Sequence, residues 1–354
     1  MTGHLKYIAG QFFPGRTIAG IAAYGTGHIN DTYRIGLLVD GDEQAYLLQR
    51  INQQVFRRPE EVMANIQTAY RHLAHFPELD CLLQPLPAVD GQPFFRDEQG
   101  EVWRVFPFFA GTFSPERAES EDEACEAARV IGRFLSRLSS LDPALVYYTI
   151  PDFHHSLKRL RRFDEVVRAD PAGRKRAAQD AIAELRRHQA LFEQVDRLDV
   201  PLRVVHNDTK ISNVLFQRES GRACGVIDWD TIMPGTLLSD FGDLVRSAAA
   251  TLDENAADIE RVEIDMPVFD ALCRGFIPEL RGTATPLELE HLVTGARWIT
   301  LEQALRFLTD FLEGDPYYKT AYSTQNLVRA RNQLQLFRSM RHRQAEMERI
   351  AAGY

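Results

Sequence analysis

The chain has 354 residues, with 41 Lys and Arg against 50 Asp and Glu, a formal charge of −9, and 45% hydrophobic and 26% charged residues. That balance belongs to a folded globular protein and speaks against a mainly electrostatic nucleic-acid binder, which needs clustered cations to release phosphate counterions. No apolar run is long enough to cross a bilayer, and MTGHLKYIAGQFFPGR lacks the charged head, apolar core and small-residue cleavage site of a secretory signal.

Cys81, Cys125, Cys224 and Cys273 are scattered, with neither a CxxC pair nor a disulfide framework. The expectation is a soluble, cytoplasmic protein with reduced thiols and with no membrane or nucleic-acid partner. From Ile18 to Ile51 the chain reads as short β segments, IAGIAAY, TYRIGLLV and QAYLLQRI, separated by a Gly-Thr-Gly turn and by Asp40-Gly41-Asp42. Pro59 and the acids after it open a helix whose apolar residues Val62, Ile66, Ala69 and Leu73 share one face. LLQPLPAV and VWRVFPFF read as further strands. The order β-β-β-α-β-β resembles a kinase N-lobe.

Beyond Gly111 long amphipathic segments take over: EDEACEAARVIGRFLSRLSSL, HHSLKRLRRFDEVVR, GRKRAAQDAIAELRRHQALFEQV and HLVTGARWITLEQALRFLTDFLEG. The basic stretches within them read as solvated helix faces. Leu301, Leu305, Leu308 and Leu312 form a stripe for core packing. The expected class is α+β: a protein-kinase-like two-lobed fold with a β-rich N-lobe over residues 1–107 and a mainly helical C-lobe over 108–354. The boundary falls near Phe106-Pro107-Phe108-Phe109.

His206-Asn207-Asp208-Thr209-Lys210-Ile211-Ser212-Asn213 has the H-x-D-x-x-x-x-N spacing of a kinase catalytic loop. Phosphoryl transfer passes through a loose transition state, so the protein chiefly positions the reactants and compensates charge. In that chemistry Asp208 orients the acceptor hydroxyl and takes its proton, and Lys210 offsets charge on the γ-phosphate. Asn213 offers an oxygen to Mg²⁺, a hard cation. VLF, the polar turn QRESGRA and CGVI read as a hairpin that brings Asp228 beside Asn213 as a second metal ligand. His206 is expected to support the loop and Asp240 to brace it or cap the next helix. Asp230 is either a turn residue or a ligand acting through water. Gly25, Thr26 and Gly27, between two strands, let backbone N–H groups approach phosphates, while His28, Asn30 and Asp31 add substrate-contacting polarity.

VVHNDTKISNVLF and GVIDWDTIMPGTLLSDFGDLVR resemble the aminoglycoside phosphotransferase and choline kinase superfamily. More narrowly, GTGHINDTY, YLLQRIN with VFRRPEEVMANI, IDWDTIMPG with SDFGD, and RFLTDFLEGDPYY are similar to the N-acetylhexosamine 1-kinase group. The resemblance implies ATP as donor, Mg²⁺, and an N-acetylhexosamine (GlcNAc or GalNAc) phosphorylated at its anomeric C1 hydroxyl. It also implies sugar contacts from His28, Asp31, Arg306 and Tyr317; on spacing alone Arg306 and Asp310 could form an i,i+4 surface pair. One departure is that QAYLLQRIN has no lysine where the kinase pattern places a phosphate-contacting one. Gln49 or Arg50 takes that place, on opposite strand faces, with Arg50 as the replacement cation and Glu60 or Glu61 as its partner. An aminoglycoside- or choline-type kinase acting on another hydroxyl is the competing reading. A nucleotide-binding regulator without catalysis is a third.

Overall fold

The computed structural model describes residues 2–25, 29–39 and 41–354. Helix α1 (Thr2–Phe12) precedes β1 (Thr17–Ala23), β2 (Asp31–Val39) and β3 (Asp42–Arg50), followed by α2 (Pro59–Leu73), β4 (Phe95–Arg96) and β5 (Val102–Pro107). The five strands form an antiparallel sheet in the order β1-β2-β3-β5-β4. Because side chains alternate, the sheet has two faces with separate duties. Ile35, Leu37, Leu48, Trp103 and Val105 point to one face and are covered by Leu5, Ile8, Ala9 and Phe12 of α1. Each such large apolar side chain contributes about 1.5–3 kcal/mol relative to exposure. The opposite face carries Thr32, Gln49 and Arg104 toward the rest of the molecule.

The α2 helix starts with Pro59 and the acids Glu60 and Glu61, which suit the positive end of the helix dipole. Its buried stripe of Val62, Met63, Ile66, Ala69 and Leu73 joins the core of the helical region, so the two lobes share one apolar interior. LLQPLPAV is not a strand. Pro85 and Pro87 remove two amide donors, and among the described residues the segment's one backbone hydrogen bond to the sheet is Leu86 N–H to Val105 O, 2.9 Å. Helix α1 was not foreseen, although Leu5, Ile8, Ala9 and Phe12 have helical spacing.

After Pro107 the chain leaves the large sheet, and β6 (Thr112–Phe113) pairs with a second sheet. The helices α3 (Glu121–Leu138), α4 (Ser156–Ala169), α5 (Gln179–His188) and α6 (Ala190–Asp196) follow, the last two dividing at Gln189 a stretch that reads as one helix. Next come β7 (Arg203–Val205), the hairpin β8 (Val214–Gln217) and β9 (Ala223–Val226), and β10 (Met233–Gly235), which pairs with β7. Helices α7 (Leu237–Ala248), α8 (Met266–Glu279), α9 (Pro286–Glu290), α10 (Leu292–Glu313), α11 (Gln325–His342) and α12 (Gln344–Ala351) complete the chain. Gly132 of α3 lets the helix approach α8 closely, since a Cβ there would lie 2.8 Å from the Phe276 carbonyl oxygen. Within the described residues no helix is long and apolar enough to cross a membrane.

Candidate active site

Strand β7 delivers the loop His206–Asn213, and buried partners fix it from behind. Asp240, in the first turn of α7 and fully buried, accepts His206 N–H at 2.8 Å and Asn207 N–H at 2.6 Å. Burial pushes the Asp240 carboxyl up to about 8, while the two amide donors pull it back. The His206 ring, also fully buried, donates Nε2–H to the Ile227 carbonyl at 2.8 Å and accepts Asp208 N–H on Nδ1 at 3.3 Å. It scaffolds the loop, and desolvation lowers its pKa. Asn207 has φ of +64°, held by its amide Nδ2 donating to the carbonyls of Thr231 at 3.1 Å and Met233 at 3.2 Å. This left-handed backbone turns Asp208 outward.

The Asp208 carboxylate accepts from Lys210 Nζ at 3.0 Å and from Asn213 Nδ2 at 3.1 Å. Burial works to raise its pKa, but Lys210, His206 and Arg246 together outweigh it and hold the group at about 2, so Asp208 is ionised at neutral pH. Burial equally works against the Lys210 charge, and Asp208 and Asp228 raise its pKa above the usual lysine range. Ile227 N–H donates to Asn213 O at 2.8 Å across the β8–β9 hairpin, placing Asp228 one residue beyond that contact. Asp228 also has a left-handed backbone, φ +62°. The residue keeps an exposed face, yet the protein packed around its carboxyl and the neighbouring Asp230 push its pKa up to about 7.

Asp230 is not available to a cation. Its two oxygens form a fork with Arg104, NH1 at 2.5 Å and NH2 at 2.9 Å, and Asn30 Nδ2 adds a third donor at 2.7 Å. Arg104 Nε in turn donates to Gln49 Oε1 at 3.0 Å. Gln49 therefore faces the catalytic loop and Arg50 does not. Arg50 pairs with Asp31 on the α1 side of the sheet, Nε to Oδ2 at 3.0 Å, so these two residues, expected at nucleotide and substrate, are occupied with each other. Neither acid on α2 meets Arg50: Glu60 pairs with Arg96 and Glu61 with Arg58. Gly25, two residues past the end of β1, has φ of +79°, while Thr26, Gly27 and His28 lie outside the described residues.

On the helical side, the His154 ring bridges Glu302 and the catalytic loop, with Nδ1 2.8 Å from Glu302 Oε1 and Nε2 3.2 Å from the Asn207 carbonyl oxygen. Glu302 is buried and also bonds Ser156 Oγ. Arg306 donates to Gln303 Oε1 at 3.1 Å and stacks on Phe153, 5.0 Å to the ring centroid, and on Tyr318, 5.7 Å. Burial tends to lower its pKa, and Tyr318, Tyr317, Glu302 and Asp208 more than restore it. Asp310 does not pair with Arg306; it caps the amides of Tyr317 at 2.8 Å and Tyr318 at 3.0 Å. Tyr317 is exposed and packs edge-on to Tyr318, which bonds Gln303. Arg159 approaches Glu302 at 3.9 Å. Arg104, His154, Arg159 and Glu302 were not anticipated from sequence.

An antiparallel sheet lobe, a helical lobe and a catalytic-type loop between them define a kinase-like phosphotransferase. The sequence model described as "Phosphotransferase enzyme family" matches residues 20–272, and the chain belongs to that family. Among solved structures it is similar to a microcompartment-associated aminopropanol kinase, with TM-score 0.68, 16% identity, and 97% of this chain and 98% of that one covered. An aminoglycoside phosphotransferase from Alicyclobacillus acidocaldarius gives 0.62 and 13% over 99% and 96% of the two chains. A choline/ethanolamine kinase family protein from Mesorhizobium loti gives 0.55 and 18% over 99% and 98%. At these identities the likeness is one of fold.

Proposed function

We propose that this phosphotransferase moves the γ-phosphoryl group of ATP to the anomeric C1 hydroxyl of an N-acetylhexosamine such as GlcNAc or GalNAc, giving the sugar 1-phosphate. The observation that carries the acceptor class is the make-up of the helical side, where the guanidinium of Arg306 feels the Asp208 charge and stacks on Phe153 and Tyr318, and where Glu302 is already committed to His154 and Ser156. A cationic acceptor calls for uncommitted carboxylates. An uncharged sugar accepts hydrogen bonds from a guanidinium and packs on aromatic rings. Arg306 and Tyr317 are the proposed sugar contacts, with Asp208 as base and Lys210 as the charge-compensating cation. Residues 1–107 are proposed as the nucleotide-binding lobe and 108–354 as the lobe holding the acceptor.

The donor set fits Mg²⁺. Asn213 spends its Nδ2 on Asp208, leaving its amide oxygen without a hydrogen bond among the described residues, and the Asp228 carboxylate is likewise uncommitted there. A carboxyl whose ionisation is opposed by its surroundings gains from a neighbouring cation. No cluster of three or more His, Cys, Asp or Glu suited to a metal occurs among the described residues. Two protein oxygens suit an ion that keeps waters and substrate phosphates in its shell. When bound, it neutralises phosphate charge as the transferred group moves. Asp208 meanwhile orients the acceptor hydroxyl and receives its proton.

A second reading, an amino-alcohol or aminoglycoside acceptor, is favoured by the fold likeness to the aminopropanol kinase along nearly the whole chain. A panel of hexosamines, amino alcohols and aminoglycosides with Mg·ATP, read by phosphorus NMR, separates the two. Turnover of an N-acetylhexosamine to an acid-labile anomeric phosphate is expected. Phosphate on O6, or turnover confined to cationic acceptors, refutes the sugar 1-kinase reading.

A further inference from the structure

The kinase pattern places a lysine on the third strand, where this chain has Gln49. The cation stands one strand over. Arg104 of β5 lies opposite Gln49 in the sheet register and is 1% exposed. Its Nε is held by Gln49 and its NH1 and NH2 by Asp230, while NH1 also lies 3.8 Å from the sulfur of Met63 on α2. Gln49 is fixed in turn by Nε2 on Thr32 Oγ1, 3.1 Å. With both arms and the neck engaged and almost no surface open, Arg104 has no free fork to offer a phosphate. It acts on the turn it grips.

That turn, Trp229–Thr231, begins one residue after Asp228. Its orientation sets where the Asp228 carboxylate points. Asn30, beside the Gly-x-Gly segment, grips the same Asp230 oxygen as NH2, and Thr149 Oγ1 donates to the Asp230 carbonyl at 3.1 Å. We infer that Arg104 is a positioning residue for the Mg²⁺-nucleotide: held by Gln49, it pins the Asp230 turn to the sheet and thereby sets the Asp228 ligand. The inference rests on the phosphoryl-transfer reading above, and on no choice of acceptor.

Because a buried charge left alone destabilises strongly, both partners are neutralised together in Arg104→Met/Asp230→Asn, with Arg104→Lys as the variant that keeps charge but loses the fork. Folding is checked by circular dichroism and cooperative melting. Binding of ADP with Mg²⁺ is measured by calorimetry, and steady-state turnover is followed against Mg²⁺ and acceptor concentration. The double variant is expected to lose about 10–100-fold in Mg²⁺-dependent ADP affinity, with the acceptor KM unchanged. Arg104→Lys should fall between it and wild type. Wild-type Mg·ADP affinity in the folded double variant, or in Arg104→Lys should the double variant not fold, overturns the assignment. If the wild-type chain shows no Mg²⁺-dependent ADP binding, the phosphoryl-transfer reading falls and takes this inference with it; intact wild-type binding with unaffected variants removes this inference alone.

Discussion

Replacing Glu302 by Gln removes one buried charge while keeping the side chain's shape, and the outcome follows from the contacts. Glu302 is 1% exposed, and burial favours its neutral form. His154, with its ring bond at 2.8 Å, Arg159 and Ser156 more than offset that and hold the pKa at about 2, against an ordinary value of 4.5. At roughly 1.4 kcal/mol per pH unit the ionised carboxylate contributes about 3 kcal/mol. A depressed acid contributes this fully above its unfolded pKa, and the contribution is lost as pH falls through the folded value. The expected result is that Glu302→Gln costs about 3 kcal/mol at pH 7 and that the cost shrinks between pH 4.5 and 2. Urea unfolding followed by circular dichroism at stepped pH measures both quantities. A loss under about 0.5 kcal/mol at pH 7, comparable to an ordinary surface change, or a difference unchanged down to pH 3, refutes the reasoning. Turnover should fall as well, since the His154 ring that Glu302 orients holds the Asn207 carbonyl beside Asp208.

Asp208→Asn should reduce kcat by about 10²–10⁴-fold while Mg·ADP binding persists, because the amide cannot take the acceptor's proton; near-normal turnover in a rapid-quench assay would remove Asp208 from the chemistry. Gly235→Ala should destabilise by about 1–3 kcal/mol and lower kcat, because the added Cβ would lie 2.5 Å from Asn207 Oδ1 and 2.6 Å from Val205 Cγ2. A thermal melt and an activity assay at wild-type values would show that the β7–β10 contact tolerates the methyl group.

The sequence shows the sheet lobe plainly where alternation and turn residues agree: the segments read from Ile18, Thr32 and Gln44 correspond to β1, β2 and β3. LLQPLPAV looks like a strand by apolar content, but its two prolines carry no amide hydrogens and leave it outside the ladder. The α1 signal is present in Leu5, Ile8, Ala9 and Phe12; it is short, and its purpose emerges only with the sheet face it covers. At the site, residues close in the chain were the readable ones, since His206 to Asn213 share one loop and Asp228 follows by a hairpin. Arg104 was not readable. It sits in VWRVFP like any polar residue on an alternating strand, and the carboxylate that explains it is 126 positions away. For the same reason alternation alone could separate the faces of Gln49 and Arg50 without saying which one meets the loop.

Asp230 has a consequence for how the two lobes move. All its side-chain donors among the described residues come from the sheet side, two from Arg104 and one from Asn30. A separation of an ångström or two would strip every donor at once and leave a bare carboxylate in a place where water is scarce. Gradual breathing is disfavoured by that arrangement. The three bonds hold or fail together, so this contact joins the sheet to the catalytic turn as a single unit.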